Sequence, residues 1–262
     1  MVEIALSLGI IAFALVAIIG VMPTGLRVQR DNREDTILTR DGQYFLEAIR
    51  SGALGSMELT NHVLAITLSN SVGDVFVHTM QPNSPAGLPR GQGVVHVNNL
   101  TNSQTVISLL STPRYSTDPR GRTLTNYVRA LVRSVTSTAE EQSNQWRSRD
   151  AGDFLPPGFV YLLSTEVVPL RILPPILTNW TATGLSPVEV QVFSNNWMLA
   201  RNQATNFSEL RLTLQGPVYL SGPTLQVAGR PRTFRTMVSG QLAMTEDNWL
   251  AFQPGVFAQA TP

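Results

Sequence analysis

Few side chains in this 262-residue chain are spaced to do chemistry, and those that come nearest are a carboxylate, three imidazoles and a set of amides. Glu3 stands at the lip of a long apolar stretch. A carboxylate there costs about a few kcal/mol if drawn into lipid and normally has a partner, although it could also rest in the headgroup zone. The histidines, His62, His78 and His96, share no metal-ligand spacing of the HExxH kind. His78 and His96 could meet across strands, but an internally satisfied or solvent-facing ring is the expectation. Asp150 with Asp153, and Glu246 with Asp247, are the closest approach to calcium ligands, and no alternating Asp pattern surrounds them. Serines are plentiful, yet none sits in a GxSxG elbow. Asn99, Asn179 and Asn206 begin sequons that offer glycosylation sites in an exported chain, where roughly one or two would arise by chance. Trp180, Trp197 and Phe207 form either core packing, the expected reading, or an exposed sugar-binding or subunit-contact patch. No catalytic residue, metal ligand or cofactor is expected.

Composition narrows the field further. The formal net charge is +1, from 19 basic and 18 acidic side chains, so the main electrostatic argument for a nucleic-acid partner is missing. Charged residues make up 14 % of the chain, well under the usual quarter, and much of the surface must be neutral. Every basic residue is Arg, and there is no Cys. Disulfides, thiolate catalysis, cysteine zinc sites and iron–sulfur clusters are excluded, as are lysine Schiff bases and the P-loop lysine.

The element that positions Glu3 is the loudest signal in the chain. Ile4 to Met22 is an uncharged run whose only hydroxyl is Ser7. As a helix it would span roughly 29 Å, matching a hydrocarbon core of about 30 Å. A signal peptide would show a basic n-region, a shorter apolar core and a small-residue cleavage site, and none is visible. Beyond Pro23 the segment Leu26–Arg50 is free of proline. Ile37, Tyr44 and Ala48 form one row at helical spacing, and Leu38, Phe45 and Ile49 the adjacent row. Arg30 and Glu34 are spaced as a surface pair worth tenths of a kcal/mol. Gly42 is a weak point of about 1 kcal/mol against Ala, and Gly52 with Gly55 ends the helix. The spacing therefore predicts one helix of about 50 residues, greasy all round first and amphipathic second.

The string Met1-Val2-Glu3-Ile4-Ala5-Leu6, followed by a Gly/Ala/Ile/Leu helix, resembles the N-terminus of type IV pilins and pseudopilins. The resemblance implies that a prepilin peptidase cuts ahead of the mature start and methylates the new amine. It implies that Glu3 is the glutamate that pairs with the terminal amine of a neighbouring subunit. Met1 would then be the third mature residue, with the leader and two mature residues lying before it. Pro23 falls about one turn beyond the family's usual proline. That displacement, in Met22-Pro23-Thr24-Gly25-Leu26, is similar to one group, the B-type pilin-like proteins of the Verru/Chthon cassettes of Verrucomicrobia. Glu209-Leu210-Arg211-Leu212, Gly216-Pro217-Val218 and the run from Arg232 to Gly240 are similar to the same group. The likeness is specific over 1–50 and about 205–243. Arg27, Arg30 and Arg33 beyond the span would hold that end in the cytoplasm by the positive-inside rule. A basic leader reverses the comparison and puts the head outside.

The remaining sequence reads as a single strand-rich head. Ser56 is placed to cap a short helix with Leu59, Val63 and Ile66 on one face. Val72–Met80, Val94–Asn98, Phe159–Ser164, Val167–Leu173, Val188–Phe193, Leu210–Leu214 and Thr233–Leu242 read as strands. Leu124, Val128, Leu131 and Val135 predict an amphipathic helix between Thr123 and Gln145. Pro82, Pro85 and Pro89 mark a loop.

The expected fold is therefore α+β and pilin-like: a helix over 1–52 as membrane anchor and assembly spine, and a globular β-rich head over 53–262 with one further helix. The expected function is structural, as subunit of an extracellular type IV pilus-like filament. The N-terminal segment would lie in the inner membrane before assembly and then in the filament core. There Ile4, Leu6, Ile10, Phe13 and Ile18 would bury against other copies, worth on the order of tens of kcal/mol gross at ~25 cal/mol/Å². Pro23 would set the bend of the spine, and Glu3 its register, because an unpaired buried charge is strongly unfavourable. The partners so implied are copies of the chain, a prepilin peptidase, an inner-membrane assembly platform and the membrane itself, with no nucleic acid required. Two alternatives stay open: a minor pseudopilin of a type II secretion-like machine, and a single-pass anchored periplasmic binding protein that does not polymerise.

Overall fold

The computed structural model describes residues 2–52, 59–80, 88–89, 92–117, 120–135, 159–170, 186–221, 224–244 and 250–257. Helix α1 runs unbroken over Val2–Ser51, about 75 Å at the standard rise per residue. The two rows read from the sequence are the rows that bury: Leu38, Phe45 and Ile49 are at most 3 % exposed, Ile37 and Ala48 are buried, and Tyr44 is half-buried beside Phe45. Gly52 ends the helix with φ +67°, a left-handed conformation that glycine adopts without steric cost.

Around the second half of α1 the chain builds one nine-stranded sheet. Its strands are β1 (Val63–Asn70), β2 (Val75–Thr79), β3 (Val94–Asn98), β4 (Tyr115–Thr117), β5 (Thr123–Arg133), β6 (Val160–Pro169), β7 (Phe207–Gln215), β10 (Arg232–Met244) and β11 (Leu250–Pro254). The order is β11-β10-β7-β6-β5-β1-β2-β3, with β4 paired to the start of β5. All pairings are antiparallel except β2 with β3. A separate hairpin, β8 (Val218–Ser221) and β9 (Thr224–Val227), follows the cis Gly216–Pro217 peptide. Among the described residues there are three further helices, α2 (Leu59–His62), α3 (Ser103–Leu110) and α4 (Pro187–Asn206).

Alternation decides the layers. One face of the sheet gives Ile66, Leu68, Val128, Ala130, Val132, Leu163, Leu210, Leu212, Leu214 and Val238 to the main core, which α1, α2 and α3 cover. The other face splits. Near β1, β5 and β6 it is apolar, with Ala65, Val77, Leu131 and Val160 packed under Leu88 and Val218. Toward β6, β7 and β10 it is polar and partly open.

Four elements differ from the sequence reading. Thr123–Arg133 is a strand, not a helix, because β5 lies between β1 and β6: Val128, Ala130 and Val132 bury in the main core, while on the other face Leu131 is buried and Tyr127 and Arg129 are exposed. Val188–Phe193 lies in helix α4, not a strand. The helix at Leu59 stops at His62, and Val63 and Ile66 belong to β1. The stretches read separately around Phe159–Ser164 and Val167–Leu173 are one strand, β6, as far as Pro169. The coarse α+β architecture of long apolar helix and strand-rich head stands, with the substantial second helix at α4. Ser56, Gly55, Pro82, Pro85 and the stretch from 136 to Gln145 lie outside the described residues.

Candidate functional site

The candidate site is the first two-thirds of α1. With one side chain, Ala5, outside the described set, residues 2–33 are exposed along the whole helix. Ile4 is 66 % exposed, Leu6 65 %, Ile10 63 %, Phe13 79 % and Ile18 57 %. This apolar surface belongs to a helix long and apolar enough to cross a membrane. Glu3 sits in its first turn, where a negative charge complements the positive end of the helix dipole, and Ser7 Oγ donates to the Glu3 carbonyl at 2.8 Å. Pro23 lies inside the helix, so the carbonyl of Ile19 loses the N–H that would normally donate to it. Gly20 and Gly25 flank it, and a Cβ at either would meet nothing within 4 Å.

Below this segment, α1 is fastened to the head at defined points. Arg232 on β10 forms a two-pronged ion pair with Asp35, Nε donating to Oδ1 at 2.7 Å. About two turns further on, the Phe234 ring rests on Gly42. Asp41 is fully buried and accepts the Val135 backbone N–H at 3.1 Å. Its carboxylate faces Tyr161, whose phenol pKa is held well above the usual 10 by burial and then by that neighbouring charge. The anchored third of α1 is thus part of the head's core, so spine and head share this one helix up to its end at Ser51.

The other candidates separate. In the parallel register His78 pairs with Val97 and Val77 with His96, which puts the two imidazoles on opposite faces of the sheet. His78 is buried, with Nδ1 2.9 Å from Asn99 Oδ1. Burial lowers its pKa and the Asn99 contact partly offsets this. His96 is exposed, and His62 closes α2. Among the described residues no three His, Cys, Asp or Glu converge as metal ligands. Asp150, Asp153, Glu246 and Asp247 lie outside those residues.

Of the sequon asparagines, Asn99 is half-buried against His78, and Asn206 is 5 % exposed with Nδ2 donating to the Asn202 carbonyl at 2.9 Å. Asn206 is buried, so the folded chain gives a glycan little access to it. Asn179 and Trp180 lie outside the described residues. Trp197 is 36 % exposed with the Arg201 guanidinium 5.1 Å from its ring centre, while Phe207 is half-buried where α4 meets β7.

Sequence reasoning missed α3 and α4, although both carried a start signal. Asn102 caps α3 by accepting the Thr105 N–H at 2.7 Å. Ser186 and Glu189 form a capping box with Pro187 in the first turn of α4, a pattern legible as S-P-x-E. The Ser186 bonds hold Glu189 ionised below the usual carboxylate range. Comparison with known protein families, with curated proteins and with solved structures finds no match for this chain.

Proposed function

We propose that this chain is the structural subunit of a type IV pilus-like filament on the cell surface, built through α1. The observation that carries the reading is the division of one unbroken helix: its first two-thirds leave their apolar side chains exposed, with no described part of the head covering them, and its last third is part of the head's own core. Left in water, so much apolar surface is strongly unfavourable, so that part of the helix must lie in lipid or against other protein. A membrane followed by a filament core satisfies it twice. In this scheme Glu3 meets the terminal amine of an incoming copy, while Ile4, Leu6, Ile10, Phe13 and Ile18 supply the burial. Processing by a prepilin peptidase and extraction by an inner-membrane platform belong to the same proposal.

The experiment is intact-mass and N-terminal peptide mass spectrometry on protein sheared from the surface of the source cells. A methylated N-terminus two residues ahead of Met1 supports the filament. Protein confined to the membrane fraction with its leader attached favours the anchored binding head and overturns the filament.

A further inference from the structure

The sheet face turned away from α1 carries a second feature that the filament reading does not use. Registers across β5, β6, β7 and β10 place Arg129, Ser164, Thr213 and Thr233 on one rung. The next rung holds Glu166, Arg211 and Arg235. Arg211 and Arg235 are directly paired on neighbouring strands, an arrangement of like charges that destabilises a sheet unless something neutralises it. Arg211 is served by Glu209 beside it, and Glu166 is engaged by Arg114. Arg235 and Arg129 remain exposed at the two ends of this surface, about 16 Å apart, three strand spacings across and two residues along. Between them runs a line of hydroxyls, with Thr213 and Thr233 Oγ1 atoms 3.1 Å apart.

We propose that this face docks an acidic polysaccharide, its carboxylates taken by Arg129 and Arg235 and its ring hydroxyls by Ser164, Thr213 and Thr233. A sheet surface with guanidiniums at its ends and hydroxyls between them is complementary to a chain of rings bearing carboxylates and hydroxyls. Nucleic acid fits less well. The Tyr127 ring, a stacking platform otherwise, already lies under Arg114, whose guanidinium is 5.3 Å from its centre.

The test uses the full chain in detergent micelles with sodium alginate as probe, neutral dextran as control and a single-stranded oligothymidine as the rival ligand. Alginate is expected to bind in dilute salt, dextran not at all. Arg129→Gln with Arg235→Gln should weaken alginate binding at least about tenfold, while Arg50→Gln with Arg230→Gln, the same charge change elsewhere, should weaken it less than about twofold. Thr233→Arg, at an exposed position on the same rung, should tighten binding and keeps the test open if the double variant fails to fold. No alginate binding, equal losses in the two double variants, or tighter binding of the oligothymidine to the same arginines would each overturn the proposal.

Discussion

The Phe234 ring lies directly on the backbone of α1 at Gly42: a Cβ placed on that glycine would come within 2.5 Å of ring atom Cε2. Glycine inside a helix costs about 1 kcal/mol against alanine, so the sequence shows only the penalty. The structure shows what the penalty permits, which is contact between the β10 aromatic and the helix itself. Gly42→Ala is therefore expected to lower stability by about 1–3 kcal/mol, opposite in sign to the propensity gain. Its cost should shrink in a Phe234→Leu background, and a denaturant double-mutant cycle measures that coupling. Additive losses would mean the contact is not what holds Gly42 in place.

Two aspartates on α1 serve different purposes and should respond differently. Asp35 and Arg232 are each nearly half exposed, so Asp35→Asn should cost under about 1 kcal/mol and less in high salt. Asp41 is fully buried on the Val135 N–H. Asp41→Leu removes that acceptor and is expected to cost about 1–3 kcal/mol with little salt dependence. Urea midpoints at low and high salt separate the two.

Tyr161 supplies an alkaline limit. Its phenol pKa is raised in the folded chain, so the neutral ring's contribution is complete below pH 10, the unfolded value, and is lost as pH rises past it. Asp41→Asn removes the nearby charge and should move phenolate formation to lower pH. Ultraviolet difference spectra taken during an alkaline titration read this directly.

His78 supplies the acid counterpart. Burial lowers its pKa below 6.5, so the folded chain resists a proton that the unfolded chain accepts. Stability is unaffected above about pH 6.5 and falls as pH drops from there toward the folded value. Melting curves between pH 7.5 and 5.5 should show this slope, and His78→Asn should flatten it relative to the parent.

How much was legible follows from burial geometry. The α1 rows were readable because one face meets a core and the other does not, so Leu38, Phe45 and Ile49 recur at helical spacing. β7 was readable for the same reason: Leu210, Leu212 and Leu214 are buried while Arg211 and Thr213 are not. β5 was not, because Leu131 buries on the face opposite Val128, Ala130 and Val132, which breaks the alternation near the strand's end and leaves Leu124, Val128, Leu131 and Val135 at spacings that imitate a helix. In α4 the opposite happened. Val188, Val190 and Val192 alternate like a strand, yet Val188 is 70 % and Val192 52 % exposed on a helix set by its capping box. The apolar span was the plainest signal of all, since its length alone states the problem it solves. The Asp41–Tyr161 pairing joins residues far apart in the chain, and nothing local in either segment announces it.

The assembly proposal meets its sharpest test at Glu3. The residue lies in the first turn of a helix whose anchored part begins only near Asp35, so it makes no contribution to the head's core. Glu3→Ala is therefore expected to leave the head's melting temperature and membrane insertion unchanged. Inside a filament the same change removes the charge that would pair with an incoming amine, and a buried amine without its partner costs several kcal/mol. Incorporation should fall by more than about tenfold on that figure, measured as the sheared fraction against the membrane fraction. Glu3→Asp, which keeps the charge on a shorter arm, should recover part of the loss. Normal filament yield from Glu3→Ala, with the head folded and inserted, would remove Glu3 from assembly and leave the apolar surface of α1 as an anchor alone.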